Sequence, residues 1–197
     1  AAIDLARETE QAARAVDATT RQHFGMLRTL ALALEAHGDR SGALAVATEA
    51  SATAAGLSSF VTEAMVVRLM TAAEPDQVES WLRGRIERLR RERGPDDYLI
   101  TLTLDHLAQH ARKGGRPADA EALLREKLEV LGRAVPPGHF QMALTKSDLG
   151  DLLMARGEFA EAEPLLVAGF EGAMSSRRPT AERRELVRGR LVRLYEA

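Results

Sequence analysis

An all-α solenoid of antiparallel helix pairs is the fold class this sequence predicts, and three observations carry that prediction. Apolar residues make up 45% of the 197, yet only 4% are aromatic, because the apolar total is largely Ala and Leu, the best helix formers. Few stretches are rich in Val, Ile or Thr, the residues that favour strands. Apolar and small residues also recur in columns spaced by 42 residues over the C-terminal half, the mark of a repeat rather than of one irregular core.

The elements follow in chain order. Residues 2–17 place apolar side chains at Ile3, Leu5, Ala6, Ala12, Ala13 and Val16, a weakly amphipathic helix. A second helix is expected from Thr20 to His37, stopped by Gly38-Asp39. A third, rich in Ala, runs from Ser41 to Ala55 before Gly56, and a fourth from Ser58 to Ala73. Pro75-Asp76 opens a fifth, since Pro is tolerated in a first turn where its missing N–H is not needed. Gly94-Pro95-Asp96 closes that helix. The sixth covers Asp97 to Lys113 with Gly114-Gly115 as its stop, and the seventh runs from Pro117 to Gly132, ahead of the loop Pro136-Pro137-Gly138. His139 to Arg156 and Phe159 to Met174 form the eighth and ninth, and a tenth starts at Thr180. Pro164 sits late for a first turn, so the ninth helix is expected to begin nearer Ala160 or to bend.

Aligning the turns exposes the repeat. Gly115-Arg-Pro-Ala-Asp-Ala120 matches Gly157-Glu-Phe-Ala-Glu-Ala162, and residues 101–124 and 143–166 are identical at nine of 24 positions. The leading apolar column reads Leu30, Met65, Leu107, Leu149, Leu191, at spacings of 35, 42, 42 and 42. Beside it runs a mostly small column, Ala31, Val66, Ala108, Gly150, Val192. Four residues into the helix come Leu34, Leu69, Ala111, Leu153 and Tyr195. Second helices align Ala43, Val78, Ala120 and Ala162, then Ala47, Leu82, Leu124 and Leu166. A helix pair buries only one face within itself, so its other apolar edge must be covered by the next pair. Small residues at the crossings let helix axes approach to about 8 Å. Residues 1–197 therefore read as one array, with units near 1–19 (a half repeat), 20–57, 58–96, 97–138, 139–179 and 180–197 (a half repeat).

These columns resemble the tetratricopeptide repeat (TPR), W-x2-L-G-x2-Y…A-x3-F…P. Leu149-Gly150, Leu153, Ala162 and Leu166 fit four of its positions and Tyr195 fits the Tyr position in the last copy, whereas Leu27, Leu104 and Lys146 stand in the Trp column. The 42-residue period is similar to the kinesin-light-chain variety, whose G-[KR]-Y-x-E-A-E-x-L turn Gly157 to Leu165 follows closely; Gly94-Pro95-Asp96 looks like its G-P-D-H-P linker. The resemblance is strongest over 97–197 and weakest over 57–93. Pro136-Pro-Gly-His139 through Leu166 also looks like the repeat arrays at the C-terminal end of large bacterial Ser/Thr protein kinases. No kinase motif occurs in the chain itself. The resemblance implies a right-handed solenoid whose first helices line a concave groove that binds proteins or peptides.

Composition bounds the function classes. A net charge of −2 with 28% charged residues argues neither for nucleic acid nor for a membrane surface, and no apolar run nears the roughly 18 residues a membrane span needs. The absence of Cys removes disulfides and thiolate metal sites and leaves the compartment open, the cytoplasm being favoured. The chain starts without Met and stops at Tyr195-Glu-Ala within a helical pattern, so a piece of a longer protein is expected. Truncated ends of a solenoid expose apolar faces, which gives a route to self-association.

Candidate chemistry is sparse. His106-x3-His110 puts two imidazoles on one helix face, the spacing of zincin ligands, but the intervening Glu is missing and a third ligand, best Asp148, must come from another helix. Asp148 and Asp151 share a helix without a pocket motif beside them, so they read as solvated residues rather than an acid/base pair. Arg83, Arg85, Arg88, Arg90, Arg91 and Arg93 read as an outward face laced by pairs such as Glu87–Arg90 and Glu87–Arg91; with Trp81 the only nearby aromatic, base stacking has little support. The sharper candidate is the groove. Stepping beside the core columns selects Arg28, Leu32 and Glu35; Glu63, Val67 and Met70; Asp105, Gln109 and Arg112; and Ser147, Asp151 and Met154. His106, Asp148 and Arg190 fall in a single column. The expected function is a scaffold that binds a peptide or partner helix, with no catalytic residue, cofactor or metal of its own. The alternatives are a spacer within a kinase-like parent and, remotely, a metal-dependent enzyme using His106, His110 and Asp148.

Overall fold

The computed structural model describes Asp4, Glu8, Gln11 and residues 20–53, 57–176 and 180–196. Of the helix expected over 2–17 only Asp4, Glu8 and Gln11 are described, each helical; the rest of it, the stop at Gly56 and the loop residues 177–179 lie outside the described residues. Among the described residues all regular structure is helical: α1 (Thr20–Ala36), α2 (Arg40–Thr53), α3 (Leu57–Ala73), α4 (Val78–Arg93), α5 (Tyr98–Lys113), α6 (Pro117–Ala134), α7 (Phe140–Ala155), α8 (Phe159–Ser175) and α9 (Ala181–Glu196).

Two local differences from the sequence reading have simple causes. Pro75 opens a 3-10 turn, Pro75–Gln77, which passes into α4 at Val78, rather than opening the α-helix itself. A proline still occupies the entry turn, where its missing donor costs nothing. Pro164 lies inside α8, which begins at Phe159 and continues past it to Ser175. Helix starts are fixed by side chains where the sequence offers them: Asp97 accepts from the Leu99 amide at 2.8 Å to cap α5, and His139 Nδ1 accepts from the Gln141 amide at the start of α7. Helix stops fall on glycines with left-handed backbone. Gly115 and Gly157, equivalent in the repeat, have φ of 71° and 79°, a conformation that a side chain makes costly.

The chain forms two compact units, Ala1–Trp81 and Leu82–Ala197, with the boundary inside α4. In the first, α1 packs on α2 and α2 on α3. In the second, α5 pairs with α6 and α7 with α8, α6 packs on α7, and α9 covers α8 and part of α7. The columns read from the sequence form these cores. Leu30, Ala31, Leu34, Ala43 and Ala47 are buried in the first unit, and Leu107, Ala108, Leu149, Leu153, Ala162 and Leu166 in the second. The small column acts as expected at the α7–α8 crossing: a Cβ on Gly150 would lie 2.7 Å from Leu166 Cγ and 3.1 Å from the Ala162 carbonyl oxygen. The last copy departs from the columns. Val192 is exposed and Tyr195 is 65% exposed, because no described helix lies over that face of α9; the Tyr195 hydroxyl instead donates to Glu163 on α8 at 3.0 Å.

Candidate functional site

The first helices of the second unit carry a ladder of ion pairs. On α5, Asp105 accepts from Lys127 Nζ of α6 and from Gln109 Nε2 one turn along at 2.8 Å. On α7, Asp148 holds Arg190 Nη1 of α9 at 2.7 Å. The same nitrogen donates to Ser147 Oγ at 3.0 Å. One turn further, Asp151 sits among three guanidinium groups. It accepts from Arg193 of α9 at 2.8 Å and from Arg112 of α5 at 3.5 Å, and Arg190 Nε lies 3.6 Å away. Two carboxylates of α7 thereby tie it to the first helices on both sides. These contacts arise because i, i+3 and i, i+4 residues share a helix face and successive first helices stand side by side.

Burial divides the ladder into a base and a rim. Lys127 and Arg190 are 3% and 6% exposed, so their charges depend on their carboxylate partners. Burial pushes the Asp148 carboxyl above the usual carboxylate range, with Asp105 adding to the rise, against the opposing pull of Arg190 and Lys127. Arg112 and Arg193 lie on the rim, with more than half of each side chain exposed. Between base and rim lies a cleft of about 280 Å³ lined by Asp105, Gln109, Arg112, Lys113, Asp148, Leu186 and Arg190, floored by Ala108, Ala120 and Leu124. Leu186 is 48% exposed there.

Of the residues selected from the sequence, the structure brings together Asp105, Gln109, Arg112, Ser147, Asp148, Asp151 and Arg190. Ser147 is fully buried, as the acceptor for Arg190 rather than a surface group. His106 and Met154 are half-buried. In the first unit, Arg28 and Leu32 are exposed and Val67 is half-buried, while Glu63 and Met70 are buried at 1% and 6% exposure. These two, like Ser147, lie one helix step towards the interior, where a neighbouring helix covers them. Glu35 pairs with Arg68 of α3, which holds its carboxyl below the usual range.

Lys127, Arg193 and Arg68 were not selected from the sequence. Two of them left a signal. Arg193 stands 42 residues after Asp151, as Arg190 does after Asp148, and Lys127 interrupts the apolar stripe Ala120, Leu123, Leu124, Val130, Leu131.

A second ladder joins the second helices. Arg90 of α4 bridges Glu87 at 2.7 Å and Glu126 of α6, and Arg125 of α6 bridges Glu121 and Glu161 of α8. Arg125 and Arg156 keep the Glu121 carboxyl below its usual range. The arginine-rich stretch of α4 is thus partly consumed in pairs, with Arg85 buried at 5% exposure and Arg93 bound to Asp97. No cluster of three or more His, Asp or Glu with metal-holding geometry occurs among the described residues; Asp148, the third ligand expected for His106 and His110, is engaged by Arg190. Among the described residues no helix is long and apolar enough to cross a membrane.

The fold places the chain among TPR-like repeat structures. It is similar over 99% of its length to BtubC (BKLC) from P. vanneervenii, of which it covers 82%, with a TM-score of 0.79 and 14% identity. It is also similar over 86% of its length to a Podosopora anserina putative kinesin light chain with nearly identical TPR-like repeats, of which it covers 84%, with a TM-score of 0.60 and 17% identity. A point variant of that protein gives 0.61 at 16% identity. No family model matches the sequence, and no curated protein does.

Proposed function

We propose that this chain, a TPR-like helical array by fold, is a protein-interaction scaffold whose cleft over α5, α7 and α9 receives a segment of a partner protein. The observation that carries this reading is the rim. The cleft sets an exposed leucine, Leu186, beside the cations of Arg112 and Lys113 above a rigid, charge-paired base. A partner segment that fits would bring an apolar side chain to Leu186 and a carboxylate to Arg112 or Lys113. Affinity would come from the apolar anchor, and orientation and on-rate from the charges. The base is organised before any ligand arrives, so little ordering cost falls on binding. The mechanism is presentation of a surface, not chemistry. Placement as a module of a larger bacterial signalling protein, kinase-like in its other parts, rests on the resemblance of residues 136–166 to such arrays.

A second reading has its own support. The ladder satisfies most of its charges internally: Asp105 with Lys127, Asp148 with Arg190, Asp151 with Arg193. A face closed by its own pairs suits a spacer that holds other domains apart. Affinity capture on the immobilised chain separates the two. The double variant Arg112→Gln/Leu186→Asp should lose a set of proteins that wild type and the α4 surface variant Arg88→Gln both retain, with melting temperature unchanged. Identical recovery by all three would leave the spacer.

A further inference from the structure

One crevice of the second unit belongs to neither ladder. It measures about 360 Å³ and lies where the end of α6 and the loop 135–138 meet α7 and α8. Its lining includes Leu131, Val135, Pro136, Met142, His139 and Lys146. Two changes within the repeat set its character. Lys146 stands 42 residues after Leu104, a core leucine that is 1% exposed. Gly172 stands 42 after Val130, which is 4% exposed. The α7–α8 copy therefore lacks two apolar side chains that fill the α5–α6 copy, and it carries an amine where one of them stood. Gly172 also lets α8 approach Ala143 closely, since a Cβ there would meet the Ala143 Cβ at 2.8 Å.

The amine has no partner among the described residues. Every other buried or half-buried Lys or Arg among them has a polar interaction: Arg85, Arg90, Arg116, Lys127, Arg184 and Arg190. Lys146 is half-buried and has neither an ion pair nor a hydrogen bond to any of them. Its stem is partly buried in the crevice wall while the amine stays open to solvent, which leaves the charge available to an anion entering from outside. A crevice of this size, mainly apolar with one ammonium group in its lining, has the make-up of a small-molecule site.

We propose that this crevice binds a small amphipathic carboxylate, its hydrocarbon part against Leu131, Val135, Pro136 and Met142 and its carboxylate on Lys146 Nζ. The site is independent of the partner cleft, with which it shares no lining residue.

Isothermal titration of the whole chain with decanoate tests it, with decan-1-ol as the uncharged control and acetyl-Leu-Leu-Asp-amide as a peptide carrying the same chemistry. Decanoate should bind saturably at one site. Lys146→Met should weaken it by about tenfold or more, the weight of a charge-assisted hydrogen bond. Gly132→Leu should abolish binding without loss of stability, because position 132 lines the crevice and a Cβ there meets nothing within 4 Å. The proposal is overturned if decanoate shows no saturable heat below the concentration at which it forms micelles. It is equally overturned if decan-1-ol binds as well, if either variant binds like wild type, or if only the peptide binds, which would assign the crevice to a protein partner.

Discussion

The α7–α8 crossing gives a sharp quantitative test, because one chemical change should have opposite signs at two glycines. Gly84, in the middle of α4, has nothing within 4 Å of an added Cβ. Gly84→Ala should therefore stabilise the protein by the helix-propensity difference, about 0.8–1.0 kcal/mol. Gly150→Ala gains the same local term but drives its Cβ to 2.7 Å from Leu166 Cγ, 3.0 Å from Leu166 Cδ2 and 3.1 Å from the Ala162 carbonyl oxygen. Leu166 is fully buried and cannot swing aside, and the carbonyl belongs to the backbone of α8. Relief therefore requires α7 and α8 to separate. Overpacking of this kind costs about 1–3 kcal/mol, which leaves a net destabilisation of about 0–2 kcal/mol after the propensity gain. Urea unfolding followed by far-UV circular dichroism reads both variants, with an unchanged m-value as the check that the unfolded reference is the same. If Gly150→Ala stabilises as Gly84→Ala does, the helices do not approach as closely as described and the small-residue column has another explanation.

Three further outcomes concern the charges. Asp105→Ala leaves the buried Lys127 without its partner and should cost about 3–5 kcal/mol, whereas Lys127→Met leaves an Asp105 side chain that is 25% exposed and still bonded to Gln109 and should cost less; chemical denaturation of the two variants checks the asymmetry. Asp148 has a raised carboxyl pKa, so its native state holds the proton more firmly than the unfolded chain does. Its contribution to stability then falls as pH rises from about 4, the unfolded value, through the raised one. Melting of Asp148→Asn against wild type should shift in favour of the variant across that rise, and a shift the other way refutes the assignment. For Glu35 the sign reverses, since its lowered pKa means stability lost as pH falls. With Arg68 largely exposed, a double-mutant cycle on Glu35 and Arg68 should give about 1 kcal/mol or less, declining with added salt.

Much of the fold was legible because it rests on local signals. Left-handed glycines such as Gly115 and Gly157 and caps such as Asp97 mark helix ends within the sequence itself, and the columns beginning at Leu30 and Ala31 repeat often enough to fix most of the buried faces. The candidate site was less legible for a geometric reason. A helix inside a stack is covered on more than one side, so residues one step from the core column can turn inward. That happened to Glu63, Met70 and Ser147, which periodicity alone places beside the groove. On α7 eight of 16 residues are buried, more than one stripe accounts for. Partners arriving from a second helix, such as Lys127, lie outside any register of the first helices and appear only as a polar residue in an apolar stripe. The boundary between Trp81 and Leu82 left no break in the helical pattern at all.

The charge ladder also bears on how such a chain can change length. Its neutral columns set no limit on the number of copies, since Leu107 and Leu149, and Ala108 and Gly150, occupy equivalent buried positions in successive copies. The charged positions do not, because Asp148 and Asp151 of α7 meet Arg190 and Arg193 one copy later. A tandem duplication of the single copy around α7 would set carboxylates opposite carboxylates, at a Coulombic cost of about 1–4 kcal/mol per facing pair near the surface. Copying the acidic and basic units together preserves the alternation. The ladder thus restricts internal duplication around α7: copying that unit together with the α9 unit is neutral, and copying it alone is penalised until a charge is reversed.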